Sequence, residues 1–167
     1  VIGEGSGTLI LEEYERARAR EAHIHAEVLG YATNSDGNHI TQPQVSTMEI
    51  ALRDALTDAG ISSEEIGFVS AHATATDFGD VAESQATRAV FERAVPTHSL
   101  KSYFGHTLGA CGAIEAWLAI EMAREGWFPP TANLQTVDPQ CGDLDYIMAE
   151  PRMLKPKFIM SNNFAFG

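Results

Sequence analysis

Two stretches of the sequence combine residue types that move protons and meet developing negative charge. The first is Ala71-His72-Ala73-Thr74-Ala75-Thr76-Asp77-Phe78-Gly79-Asp80, a histidine followed by spaced hydroxyls and then by acids. If this segment is extended, Thr74 and Thr76 point to the same side. The second is Lys101-Ser102-Tyr103-Phe104-Gly105-His106-Thr107-Leu108-Gly109-Ala110-Cys111-Gly112-Ala113. A histidine just ahead of a helix feels its positive end, which favours the neutral ring. A neutral imidazole has one N–H to donate to an oxygen that gains charge. Each stretch also has a plainer reading. His72 can be satisfied by backbone contacts with the threonines forming a turn, and Gly105-His106 can be a turn before a packed helix.

Other reactive side chains are weighed the same way. On a helix, Glu115 shares a face with Cys111, Leu118 and Met122, where a carboxylate is costly unless a cation or hydrogen-bond donors meet it. Lys101 and a bound cation are the candidates. Asp80 and Glu83 open a helix, where its dipole favours acids. His23 and His25 face one side of an expected strand, but no third ligand lies nearby, so they are read as solvent-facing. Cys111 falls inside a packed helix and reads as a structural thiol. His39 and His98 have no motif around them.

The elements that must hold these residues follow from periodicity. Residues 7–11 form an apolar run expected as a buried strand, 12–20 a charged helix, 23–30 a second strand and 34–38 a surface loop. Ser46 with Glu49 makes a capping-box pattern, Gly60 supplies a stop, and Met48, Leu52, Ala55, Leu56 and Ala59 form one stripe between them. Residues 67–71 read as a buried strand delivering His72 at its end. Helices are expected over 80–93 and over 108–125, the latter closed by Gly126, with late strands near 146–148 and 158–160. Alternating β and α elements indicate an α/β layered domain, in which ligand sites collect where strands end and helices begin. His72 and His106 both occupy such positions.

The chain has 167 residues, 44% hydrophobic and 20% charged, a globular composition. Its 11 basic and 23 acidic residues leave a net charge of −12, which argues against nucleic acid and against a basic grip on anionic lipid. Arg16, Arg18 and Arg20 are the only basic cluster and read as a solvated helix face. No apolar run approaches the roughly 20 residues that cross a bilayer, and the start has no secretory pattern. Cys111 and Cys141 have neither metal-ligand spacing nor a disulfide framework, so a reduced, cytoplasmic setting is expected. Without an initiator Met, Val1 is not expected to be the natural start.

Taken together, the motifs resemble the C-terminal half of a β-ketoacyl-acyl-carrier-protein synthase, an elongating condensing enzyme of the thiolase-like superfamily. The resemblance runs through Gly3-Glu4-Gly5-Ser6-Gly7, the His72 motif with Gly79-Asp80, Lys101, Gly105-His106, Gly109-Ala110 and Gly112-Ala113. It continues through Pro129-Pro130-Thr131-Ala132-Asn133-Leu134 to Ser161-Asn162-Asn163-Phe164-Ala165-Phe166-Gly167. It implies one domain over residues 1–167: a layered α-β-α half of the αβαβα thiolase-like fold, a mixed sheet with a buried central helix. The implied chemistry is decarboxylative Claisen condensation of malonyl-acyl carrier protein with an enzyme-bound acyl chain. In the family, a cysteine from the N-terminal half takes the acyl chain and two histidines complete the triad.

Carried over by resemblance, those histidines are His72 and His106. Lys101, also counted as catalytic, would join Asp80 and Glu83 in a charged network that fixes the histidine loop. Glu115 matches the acid on the buried helix that helps organise the site. Thr74 and Thr76 would hold the pantetheine arm, and Phe166 would gate the substrate path, with Phe164 beside it. No metal and no resident cofactor are implied, because phosphopantetheine arrives on the acyl carrier protein. That carrier is the implied partner, along with a second copy of the full-length protein met through the N-terminal half; neither nucleic acid nor membrane is implied.

Several positions depart from the family pattern. Ala73 stands where Gly is usual and Ala75 where Ser is usual, Asp77-Phe78 replaces Pro and a small residue, Ser70 replaces an Asn, and Ala165 replaces a Gly. These point to a specialised polyketide or aryl-polyene member. The acyl-accepting cysteine is missing, so the chain is expected to be a C-terminal piece, inactive alone. Two rival readings are a non-catalytic partner within a ketosynthase heterodimer and a thiolase. Cys141-Gly142-Asp143 does not resemble the thiolase cysteine motif.

Overall fold

The computed structural model describes residues 1–39 and 41–165. Its centre is strand β1 (Ile66–Ser70), in which Ile66, Phe68, Val69 and Ser70 are buried, as the apolar run of the sequence requires. Parallel neighbours flank it: β2 (Pro96–His98) on one side, itself followed by β4 (Asp145–Tyr146), and β6 (Phe158–Ser161) on the other. Helices α2 (Val45–Ala59) and α3 (Gly79–Phe91) cover one face, and α5 (Cys111–Glu125) covers the other. This is an α-β-α layering. An antiparallel pair, β3 (Trp127–Phe128) with β5 (Arg152–Met153), makes a separate small sheet, so parallel and antiparallel pairing both occur, but not in one sheet.

Two cores result. Met48, Leu52 and Leu56 of α2 and Ala82, Ala86, Val90 and Phe91 of α3 pack with Val69, while Phe68 packs on the opposite face with Ala119, Met122, Phe128 and Ile147. Adjacent strand residues point to opposite faces, which sends Phe68 and Val69 into different cores. Ile66 nevertheless joins the core of Val69, because the register with β6 shifts between Ile66 and Phe68.

Several expectations are corrected. Residues 7–11 and 23–30 form no strand, and their large side chains stand open: Ile10 is 92% and Val28 71% exposed. Their apolar pattern records a preference for burial, but among the described residues no neighbouring strand takes their backbone groups. The charged helix does form, as α1 (Tyr14–Ala19), with Arg16, Arg18 and Arg20 paired to Glu12 and Glu15 on a solvated face. Helix α2 starts at Val45, ahead of Ser46, and has no side-chain cap; Asp36 Oδ2 accepts the Gln44 N–H at 3.2 Å instead. The capping box forms at Ser62 and Glu65, where it opens a short 3-10 turn. Gly60 ends α2 with φ 68°, as read. Strands β2, β3 and β5 and the four-residue helix α4 (Lys101–Phe104) go unmarked by periodicity.

Candidate functional site

His72 enters the site where β1 ends. The Ala71 N–H still reaches across to the His98 carbonyl at 2.9 Å, and the chain then leaves the sheet. Glu83, buried on α3, catches it: Oε1 accepts the His72 N–H and Oε2 the Ala73 N–H, each at 2.8 Å. Asp80 Oδ1 takes the Ala75 N–H at 3.1 Å, and Ser99 Oγ donates to the Ala73 carbonyl at 3.2 Å. The loop between β1 and α3 is therefore held mainly by carboxylates on its amides. This tight path needs positive φ at Ala73 (27°) and Ala75 (58°), two of the positions that depart from the family pattern. A Cβ is disfavoured in that region. The hydroxyls of Thr74 and Thr76 sit 3.1 Å apart, on one side of the loop.

His106 arrives by a different route. It follows α4 and Gly105, whose φ of 78° lets the chain turn. The first residues of the chain run alongside it: the His106 N–H donates to the Val1 carbonyl at 2.9 Å, and the Gly3 N–H donates to the His106 carbonyl at 3.0 Å. A Cβ at Gly3 would lie 2.1 Å from the Phe104 carbonyl oxygen, so only glycine permits the approach. The His106 ring accepts the Leu108 N–H at Nδ1 across 3.2 Å, and the Cys111 sulfur lies 3.0 Å from the same nitrogen. The rings of His72 and His106 meet edge to face, with centroids 5.2 Å apart and planes at 88°.

Both rings are neutral near pH 7. Burial pushes His72 down to about 3, with further repulsion from Lys101 and then from His106. His106 is lowered as well, first by burial and then by Lys101. The sequence reading assigned this effect to the start of a helix, but α5 begins only at Cys111, after a 3-10 turn. Lys101 is itself buried and pairs with Glu115 at 2.5 Å, so of the two candidates for meeting that acid, the lysine does so. Burial raises Glu115 against the pull of Lys101, and it raises Glu83 to about 7 against its amide donors. Among the described residues Lys101 pairs directly with Glu115 and not with Asp80 or Glu83, although its charge still reaches Asp80. The two acids grip the backbone of the His72 loop, while Lys101, paired with Glu115, is close enough for its charge to act on both imidazoles. Buried Ser70 Oγ and Glu115 Oε2 have no hydrogen-bond partner among the described residues.

Other residues named from the sequence fall outside this cluster. Phe164 is half-buried against the core of α2 and α3. Phe166 lies outside the described residues. His23 and His25 are exposed with their rings edge to face, and the described residues hold no group of three His, Cys, Asp or Glu able to bind a metal. Sequence reasoning missed the anchoring roles of Ser99 and of Val1 with Gly3. For Gly3 a signal existed: glycines at every second position of residues 3–7 mark a segment whose one face touches other backbone.

The family described as "Beta-ketoacyl synthase, C-terminal domain" matches residues 25–135. The 3-oxoacyl-[acyl-carrier-protein] synthase 2 of Synechocystis sp. is 43% identical, aligning with 100% of this chain and 41% of its own length. A β-ketoacyl synthase crystal structure from Burkholderia phymatum is 58% identical at a TM-score of 0.91, covering 93% of this chain and 38% of that one. A type II polyketide ketosynthase, solved in complex with its acyl-carrier protein, is 36% identical at a TM-score of 0.86 over 93% of this chain and 39% of that one. The chain spans about two fifths of the length of the curated relatives it matches.

Proposed function

This chain belongs to the β-ketoacyl synthase family, as its C-terminal domain, and on that premise we propose that the full-length protein condenses a malonyl thioester with an enzyme-bound acyl chain. The observation that carries the reading is the pair of neutral imidazoles, their centroids 5.2 Å apart, within reach of the charge of a buried lysine. The carboxylate C–C bond of the malonyl group breaks, CO2 leaves, and its electron pair moves onto the thioester oxygen as an enolate. His72 and His106 each donate one N–H to that oxygen. Neutral donors suit this step because they need not give up a proton to stabilise the charge. The enolate carbon then attacks the acyl thioester of a cysteine supplied from outside these residues, and the cysteine departs as thiolate.

Two threonines complete the proposal: Thr74 and Thr76, side by side on the His72 loop, anchor the pantetheine arm of an acyl carrier protein. The complex of the polyketide ketosynthase with its carrier supports that partner. A dimer of the full-length protein is part of the same reading, and the 167-residue chain alone makes no ketoacyl product. Among the described residues no helix is long and apolar enough to cross a membrane.

The test separates the half-reactions in the full-length protein. His72→Ala and His106→Ala should each slow malonyl decarboxylation by the equivalent of about 2.7–4 kcal/mol, the cost of one oxyanion donor. Acyl transfer to the cysteine should suffer less. Normal decarboxylation in both variants ends the donor assignment. Retention of the two histidines and of the Lys101–Glu115 pair favours this reading over that of a non-catalytic heterodimer partner.

A further inference from the structure

The Nδ1 edge of the His106 ring has its own set of partners. The Leu108 N–H reaches Nδ1 across 3.2 Å, and Cys111 Sγ lies 3.0 Å from the same nitrogen. A backbone N–H can only donate, so Nδ1 must present its lone pair. That sets the direction of the second contact, in which the thiol S–H donates to Nδ1. Thr107 Oγ1, 3.4 Å from the sulfur, donates to it in turn. A neutral imidazole carries one ring proton, so an Nδ1 that accepts leaves Nε2 as the N–H. Cys111 is 1% and Thr107 7% exposed, which shields the chain of donors from competing water. Donors aligned head to tail strengthen one another in such surroundings.

We infer that Cys111, with Thr107 behind it, is a positioning residue that joins the Leu108 N–H in holding His106 in its Nε2–H form and steadies that N–H toward the enolate oxygen. The inference rests on the reading of His106 as a donor to that oxygen. It changes the meaning of a residue that the sequence presents only as a packed thiol. The sulfur is not offered as a nucleophile, since at 1% exposure no substrate carbon reaches it. Its spacing from His106 also explains why sequence order hides the contact: residues 108–110 form a 3-10 turn, which brings the first residue of α5 to the ring's Nδ1.

The experiment compares the full-length protein with its Cys111→Ala, Cys111→Ser and His106→Ala variants. It reads malonyl-thioester decarboxylation and the ring 15N shifts of selectively labelled histidine. Cys111→Ala should lower kcat about three- to tenfold with KM unchanged, the scale of one neutral hydrogen bond. The Leu108 N–H stays in this variant and still favours an accepting Nδ1, so the His106 shifts should move only part of the way from the Nε2–H pattern toward a mixture of tautomers. Cys111→Ser keeps a donor at the same place and should restore most of both. Alanine is the better helix former, so α5 persists in the first variant. If His106→Ala abolishes decarboxylation while Cys111→Ala matches wild type in rate and shifts, the relay is overturned and the wider reading stands. A Cys111→Ala loss that serine does not restore assigns the effect to packing and overturns the relay too. If His106→Ala decarboxylates normally, the wider reading falls first and takes this inference with it.

Discussion

His72 hangs from side chains, whereas His106 is gripped by backbone. Glu83 and Asp80 accept amide N–H groups of the His72 loop from within ten or eleven residues for the first and five for the second, all on the next element of the chain. The His106 carbonyl and N–H are taken by Gly3 and Val1, about a hundred positions away in sequence, and the ring's Nδ1 is met by Cys111. The β1–α3 unit therefore carries its histidine with it. The second histidine depends on where the first residues of the chain lie. A short-range holder resists distant disturbance, while a long-range pairing transmits it.

The contrast can be tested by breaking each holder in the full-length protein. The largest effect is expected at the buried ion pair of Lys101 and Glu115. Lys101→Met leaves Glu115, which has no solvent exposure, as an unpaired buried acid, and should remove about 3–5 kcal/mol of stability in a denaturant titration. The double variant with Glu115→Leu should recover most of that loss; a double variant as unstable as the single one would show that the charge is not the cause. With Lys101 gone, both histidines should also titrate at higher pH, because its charge helps hold them down.

Next comes the His72 anchor. Glu83→Gln turns an acceptor of two amides into a group that faces one of them with its own N–H, at a cost of about 1–3 kcal/mol. NMR signals of His72 should shift while those of His106 stay near wild type. Gly3→Ala is the mirror experiment. Its Cβ would overlap the Phe104 carbonyl, so the first residues must lift away, costing about 1–3 kcal/mol by analogy with overpacking. Here His106 should move and His72 should not. Equal disturbance of both rings by either variant would erase the distinction between the two holders.

A smaller gain is expected from Ala73→Gly. Relief of the positive φ of 27° should raise stability by about 1 kcal/mol or less, measured as an upward shift in Tm. The last test has no effect at neutral pH and grows on acidification. Buried His72 should take up its proton only near pH 3, and His98, also buried, near 4, whereas His106, with the smaller shift, should charge earlier. Both depressed values lie below the unfolded-state value of 6.5, so the unfolded chain binds these protons first. Stability contributed by the two rings is therefore lost as pH falls from about 6.5 toward 3–4. Charging of His72 before His106 would contradict the ranking of burial.

What could be read without coordinates has a common cause. The apolar run of β1, the stripe of α2, the Gly60 and Gly126 stops, and the placement of His72 at a strand end all arise from contacts a few residues long, which leave a period or a spacing in the sequence. Glu115 was legible as a buried acid needing a cation for the same reason. Tertiary structure alone decided the rest. Strands of two or three residues such as β2, β3 and β5 exist only through their partners, and residues 7–11 and 23–30 carry a strand-like pattern that no neighbour completes. The direct pairing of Lys101 with Glu115, the turn of Phe164 into a core, and the hold of Val1 and Gly3 on His106 are pairings between residues apart in the chain. Local patterning states which face of a segment prefers burial; it cannot state which distant backbone or charge will meet that face, because that choice depends on how all the layers pack at once.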